Sequence, residues 1–203
     1  MTYEIALNKA WNEIIALSPS QKHAVKFLTD TYEVQVINKT VLMKSSGSPA
    51  SEEISVLILR YLIGILNHGY NQTGEWISFK ELRGGPSYYP AYQKNTIKPL
   101  LKGLREDPDS LIRNLTGRYG GKLVEDGDVS VELVTFPDVH VKFNFWFADE
   151  ELPPDVTILF DRELAEIFTT EEVAALMFFL AIALLDNSSE SALKLNLTST
   201  IEG

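Results

Sequence analysis

Hydrophobic positions along the chain switch between helical and strand spacing, and the switches mark out its elements. In MTYEIALNKAWNEIIAL, the residues Ile5, Trp11, Ile14, Ile15 and Leu17 fall near helical spacing and predict a first helix with one apolar face. The run Ser18-Pro19-Ser20-Gln21 then supplies a hydroxyl cap, a proline at the first helical position and a glutamine three residues after the cap. That pattern predicts a second helix to about Thr29. Tyr32, Val34 and Val36 alternate with polar residues, Asn38-Lys39 offers a turn, and Thr40 to Met43 return, which is the pattern of a β-hairpin. After a Ser-Pro loop, ISVLILRYLIGILNHG is apolar on most faces, interrupted at Arg60 and stopped near Gly69; it predicts the central core helix.

Beyond residues 73–99, TIKPLLKGLRE and DPDSLIRNLTG predict two short helices, the second with Asp107 as cap, Pro108 in its first turn and Gly117 as its stop. The strongest strand pattern is DVSVELVTFPDVHVKFNFWF. Val139, Val141, Phe143, Phe145 and Phe147 point one way, His140, Lys142, Asn144 and Trp146 the other, and Pro137-Asp138 makes the turn. VTILFD (156–161) predicts a further buried strand, and TTEE (169–172) is a capping box that opens an apolar terminal helix. Residues 188–203 are expected to form a loose polar tail in which Leu193, Leu195 and Leu197 offer an edge strand. Strands come in hairpins and do not alternate with helices. The expected class is therefore α+β: an antiparallel sheet built from hairpins, packed against several helices in a single domain over residues 1–187.

Composition narrows the functional classes. With 203 residues, 45% of them hydrophobic, the chain can bury a core without metal or disulfide. It has no cysteine, which removes disulfides, thiol nucleophiles and cysteine-held iron–sulfur clusters, and which suits a reducing cytoplasm. The start has no basic segment followed by an apolar core, and the longest apolar run (173–185) is shorter than the ~20 residues of a membrane helix. A cytoplasmic protein without membrane contact is expected. A net charge of −10 argues against nucleic acid as a partner. The charge is uneven, however: between Lys80 and Lys122 cations exceed carboxylates by five, leaving −15 for the remainder. That segment is either a solvated helical surface or a patch for an anionic ligand or acidic partner.

The common catalytic templates are missing. Arg83-Gly84-Gly85-Pro86 lacks the Gly-Lys-Ser/Thr of a phosphate loop; His23, His68 and His140 have no metal-ligand spacing; no Gly-x-Ser-x-Gly elbow occurs. A helix-turn-helix reading of WISFKEL fails because Gly-Gly-Pro interrupts the would-be reading helix within one turn.

The stretch TGEWISFKELRGGPSYYPAYQKNTIKP (73–99) concentrates aromatic, proline, glycine and basic residues. Part of it is helix punctuation: Ser78 and Glu81 form a capping box, Gly84 or Gly85 ends a one-turn helix, and Pro86 forbids its continuation. The rest suits binding as well as core packing. Tyr88, Tyr89 and Tyr92 fall on a segment expected to be a proline-stiffened loop, which holds rings with little entropy left to lose. Gly84 and Gly85 allow backbone amides to approach an anion, and Arg83, Lys94 and Lys98 add charge.

Two blocks carry a resemblance to a known family. In the first, Gly74, Trp76, Ser78, Phe79, Leu82, Gly84, Gly85, Tyr88 and Pro90 fall in the family's order; in the second, Trp146, Glu150, Pro153, Leu159, Phe160 and Asp161 do. Together they resemble an uncharacterised prokaryotic family known as a domain of unknown function, family 3786, found mainly in anaerobes. The similarity runs from KAWNEII to the terminal helix. Some members are similar in carrying an added iron–sulfur segment of the kind seen near corrinoid and one-carbon enzymes. This chain departs from them in having no cysteine, and in reading RELAEIF where the resemblance leads one to expect a histidine after ILFD.

The resulting expectation is an accessory or binding protein with no covalently bound cofactor. Arg83, Gly84, Gly85, Tyr88, Tyr89, Tyr92 and Lys94, with Trp76 and Asp161 as walls, would hold an anionic organic cofactor or an acidic protein partner. A corrinoid-like ligand is what the family resemblance implies. The alternatives are an enzyme using Glu81 or Asp161 as general base, and a pure protein-interaction module.

Overall fold

A computed structural model describes residues 3–186. The chain runs α1 (Tyr3–Leu17), β1 (Lys22–Phe27), β2 (Asp30–Gln35), β3 (Thr40–Met43), α2 (Glu52–His68) and β4 (Trp76–Ser78), then a 3-10 turn at Phe79–Glu81. There follow α3 (Gly85–Tyr92), α4 (Lys98–Glu106), α5 (Pro108–Arg113), β5 (Lys122–Val124), β6 (Val129–Phe136), β7 (Val139–Trp146), β8 (Asp155–Asp161), α6 (Leu164–Ile167) and α7 (Thr170–Leu185). Single π-helical turns at Gln93–Ile97 and Asn114–Arg118 join α3 to α4 and extend α5. The class is α+β, and every strand pairing is antiparallel: β1-β2-β3 form a meander and β4-β8-β7-β6-β5 a five-stranded sheet. The expected tail lies outside the described residues.

One continuous apolar cluster joins both sheets to the helices. Its bridge is aromatic. Phe27 of β1 packs at 4.6 Å on Phe136 of β6, and Tyr61 of α2 stacks on the same ring at 4.2 Å and 8°. The backbone adds a tie, Leu28 N–H donating to Thr135 O at 2.7 Å. The Tyr61 hydroxyl donates to Pro137 O at 3.1 Å. Tyr61→Phe is therefore expected to destabilise the fold by about 1 kcal/mol, the net worth of one such hydrogen bond, read from the urea midpoint.

Capping sets several helix ends. The Ser51 hydroxyl accepts from Ile54 N, and Thr169 with Glu172 forms the expected reciprocal box at the start of α7. Arg60, the one charge within the apolar run of α2, donates to Glu13 of α1 at 2.6 Å and to Glu172 of α7 at 3.0 Å. Its side chain is 13% exposed, so these two carboxylates are what make the buried guanidinium tolerable.

Four expectations are corrected. The second helix is strand β1. Val25 and Phe27 are buried while Lys22, Ala24 and Lys26 are exposed, and the ladder to β2 (Val25 opposite Tyr32) overrides the local capping signal. The proline-stiffened loop expected to hold Tyr88, Tyr89 and Tyr92 is instead helix α3, with Pro86 in its first turn, where its missing N–H would have had no helical partner anyway. The helical path does not stop at Gly117 but passes through it in the second π turn. Phe147 lies just past the end of β7 and is exposed, whereas Asn144, on the polar side of that strand, is buried.

Candidate functional site

The 73–99 segment is anchored by one carboxylate. Trp76 of β4 pairs with Asp161 at the end of β8, and the two strands share three residue pairs. Asp161, 1% exposed, accepts from Thr73 N (3.1 Å), Thr73 Oγ1 (2.9 Å), Gly74 N (2.7 Å) and Glu163 N (2.9 Å). Burial pushes its pKa up, but the hydrogen bonds from Glu163, Thr73 and Gly74 outweigh burial and hold it below the ordinary value. Beside it, Glu75 receives Arg162 through two bonds of 2.6 and 2.7 Å. Trp76 is half-buried, and Lys142 Nζ lies 4.5 Å from its ring centroid, so its π face already holds a cation.

The next turn is the capping box read from the sequence. Glu81 Oε2 accepts from Ser78 N at 2.7 Å and from Ser78 Oγ at 2.9 Å. The backbone bond from Ser78 lowers the Glu81 pKa, with the hydroxyl adding to it. A general base at neutral pH needs a raised carboxylate pKa. Glu81 and Asp161 both shift the other way, and both spend their oxygens on nearby chain.

Gly84 sits at φ +80° with open space around it, whereas Gly85 passes directly under the 3-10 turn. A Cβ at Gly85 would fall 2.1 Å from Phe79 O. The Gly85 amide donates to Leu82 O at 2.8 Å, so it is not a free donor for an anion. Of the two glycines expected to offer amides, Gly85 is thus committed to the turn.

The three tyrosines lie on helix α3 and point to three environments. Tyr92, 5% exposed, stacks on Phe79 at 4.1 Å and 3°, inside the core. Tyr89 is half-buried, tilted against Tyr92 at 6.0 Å, with Lys80 Nζ 4.2 Å from its ring centroid. Tyr88 is 44% exposed, and its hydroxyl donates to Glu171 at the start of α7, which raises its pKa. The structure thus keeps Trp76 beside Asp161 and leaves Arg83, Tyr88 and Lys94 at the surface, while it withdraws Tyr92 and Gly85 into packing. The Arg83 carbonyl accepts from Thr170 Oγ1 at 2.8 Å, which fixes the turn to α7.

Helical geometry also lines up Lys94 and Lys98 with Lys102 and Arg105, two residues that the sequence reading counted only as charge. Leu100 and Leu104 of α4 face the core, and Lys94, Lys98, Lys102 and Arg105 run along the exposed side of the helical path from 85 to 106. Lys102 pairs loosely with Glu106 at 3.8 Å; Arg83, Lys94, Lys98 and Arg105 have no ion pair among the described residues. The spacing of Lys94, Lys98 and Lys102, four residues apart each time, was the signal available in the sequence.

Cavities lined by described residues include two near these elements. One, of about 300 Å³, lies between the end of α2 and the α6–α7 junction, with Arg60, His68, Ile167 and Glu172 in its walls. The other, of about 260 Å³, is bounded by α4, α5 and the end of α7. No group of three or more His, Asp or Glu side chains among the described residues is arranged to hold a metal, and no described helix is long and apolar enough to cross a membrane.

The description of DUF3786, a domain of unknown function, matches residues 12–182. The chain belongs to this family. The match takes in both sheets and α2 through most of α7, so the DUF3786 fold includes the Asp161 anchor and the whole basic helical path. Neither a curated protein nor a solved structure matches the chain.

Proposed function

We propose that this DUF3786 protein is a cytoplasmic accessory protein that binds an acidic surface of another protein through residues 74–98 and the helix that continues them. The observation that carries this reading is the exposed row of cations Lys94, Lys98, Lys102 and Arg105, with Arg83 at its head, in an otherwise acidic chain; of these only Lys102 has an ion pair among the described residues, a long one to Glu106. Cations without internal partners lose little when they bind outward, and opposite charge steers an acidic partner to them. Tyr88 adds an exposed ring at the start of the row. The reading replaces the aromatic cage for a flat cofactor because Tyr92 is spent in the core.

The test uses the full chain and a fluorescein-labelled peptide of alternating Glu and Asp. The unmodified protein is expected to raise the peptide's anisotropy, less so as salt increases. Charge reversal at Lys94, Lys98 and Arg105 together should weaken binding about tenfold or more, since exposed pairs contribute about 0.2–1 kcal/mol each and reversal adds repulsion. Equal binding by both proteins would remove the proposal. A parallel titration with cyanocobalamin addresses the corrinoid-like reading; saturable binding lost with Arg83→Ala would favour that ligand instead.

A further inference from the structure

The cavity of about 300 Å³ beside Arg60 shares no residue with the basic row, and its lining carries charge of both signs. Its floor is apolar: Ile63, Ile167 and Phe168 are buried. Gly64 keeps that floor close, since a Cβ there would fall 2.6 Å from Ile167 Cβ, so the end of α6 packs directly on α2. Around the floor stand Lys9 of α1, Arg60 and His68 of α2, Glu166 of α6 and Glu172 of α7. The volume lies at the lower end of the ~300–1,000 Å³ of small-molecule sites, so the space suits a ligand of few atoms.

Most of the charge is paired within the lining. Arg60 gives Nη1 to Glu13 at 2.6 Å and Nε to Glu172 at 3.0 Å, which fixes the plane of the guanidinium. A guanidinium has five N–H donors, so most of them are left unspent by these two pairs, on a side chain that is 13% exposed and lines the cavity. Two charges are left over. Lys9 reaches Glu13 only at 3.9 Å and its side chain is 71% exposed. Glu166 has no ion pair among the described residues. One cation and one carboxylate thus remain, from α1 and α6, which both pack on α2. A ligand charged with a single sign would satisfy one of them and meet the other as a like charge. A ligand carrying both signs satisfies both.

We infer that this cavity binds a free amino acid with a small apolar side chain. Its carboxylate lies against Lys9 and the spare N–H groups of Arg60, its ammonium group against Glu166, and its side chain on Ile63, Ile167 and Phe168. Arg60 is already held by two carboxylates, so little side-chain entropy is lost there when the ligand arrives. The site is independent of the acidic-partner reading and adds a small-molecule ligand to it.

The experiment follows the backbone amides of the isotope-labelled full chain by NMR during titration with L-valine. Isobutylamine, which lacks the carboxylate, and isovalerate, which lacks the ammonium group, are the comparison compounds. L-Valine is expected to give saturable shifts at Gly64, Glu166 and Phe168 with a dissociation constant of about 1 mM or tighter. Each comparison compound should bind about tenfold more weakly, the size of one lost hydrogen-bonded charge. Lys9 and Glu166 are exposed, so Lys9→Gln and Glu166→Gln keep the fold, whereas a change at Arg60 would strand two carboxylates. Glu166→Gln should weaken L-valine about two- to fivefold and leave isovalerate unchanged; Lys9→Gln should weaken it by a similar factor and leave isobutylamine unchanged. Charge reversal at Lys94, Lys98 and Arg105 should leave L-valine binding as it is, which separates this result from that of the acidic peptide. No saturable shift, equal affinity for the three compounds, shifts confined to residues outside the lining, or an affinity that neither glutamine substitution changes would each overturn the inference.

Discussion

Replacing Asp161 with alanine is expected to lower the unfolding free energy by about 2–4 kcal/mol, measured by urea unfolding at pH 7. The carboxylate accepts four hydrogen bonds from Thr73, Gly74 and Glu163, and its removal strips Thr73 and Gly74 of their attachment to the end of β8. Thr73 and Gly74 are exposed, so water recovers part of the loss, which keeps the figure below that of a fully enclosed ion. The effect depends on pH in a defined direction. The folded-state pKa of Asp161 is lowered, so its contribution is fully present above the unfolded value of about 3.9 and is lost as pH falls through the folded value. The difference between the wild type and Asp161→Ala should therefore shrink as acid is added below about pH 4. A constant difference down to the folded-state titration would show that the carboxylate does not carry the attachment.

Gly85→Ala is expected to destabilise by about 2–3 kcal/mol or to prevent folding, because the new methyl would meet the Phe79 carbonyl, a backbone atom that cannot rotate away. Relief would require moving the 3-10 turn and with it Phe79, whose ring stacks on Tyr92. Gly84→Ala makes a useful contrast. That position has open space but a left-handed backbone, so its cost should be about 1–2 kcal/mol of strain and no more. Thermal melts of the two variants give the comparison, and a milder effect at Gly85 than at Gly84 would contradict the packing described. These outcomes matter for function, since Gly85 and Asp161 are both expected ligand residues and both also hold the segment in shape.

The long periodic segments were legible in the chain. The hairpin β6–β7, with its Pro137-Asp138 turn, and the capped helices α2 and α7 repeat their patterns often enough for burial to be read directly. Strands β4 and β5, three residues each, are too short to display a period and form because longer neighbours hold them. β1 carried a helix-start signal at Ser18-Pro19 and became a strand because the β2 ladder satisfied its backbone. Pro86 had two meanings, a break after a short helix or a first-turn residue of a new one. The left-handed Gly84 and the tight pass of Gly85 under Phe79 decided for the second.

The same distinction runs through the candidate site. From its residues alone the chain determined the α+β class, the Ser78–Glu81 and Thr169–Glu172 caps, the excess of cations between Lys80 and Lys122, and the loss of all cysteine chemistry. Which tyrosine is buried, which glycine amide is free, and whether the cations stand together were decided by tertiary structure. Caps and charges are properties of residues close in sequence. The direction of a side chain on a helix depends on the phase of that helix against its neighbours, and here the phase is set by contacts with β8 and α7 that lie roughly fifty residues or more away.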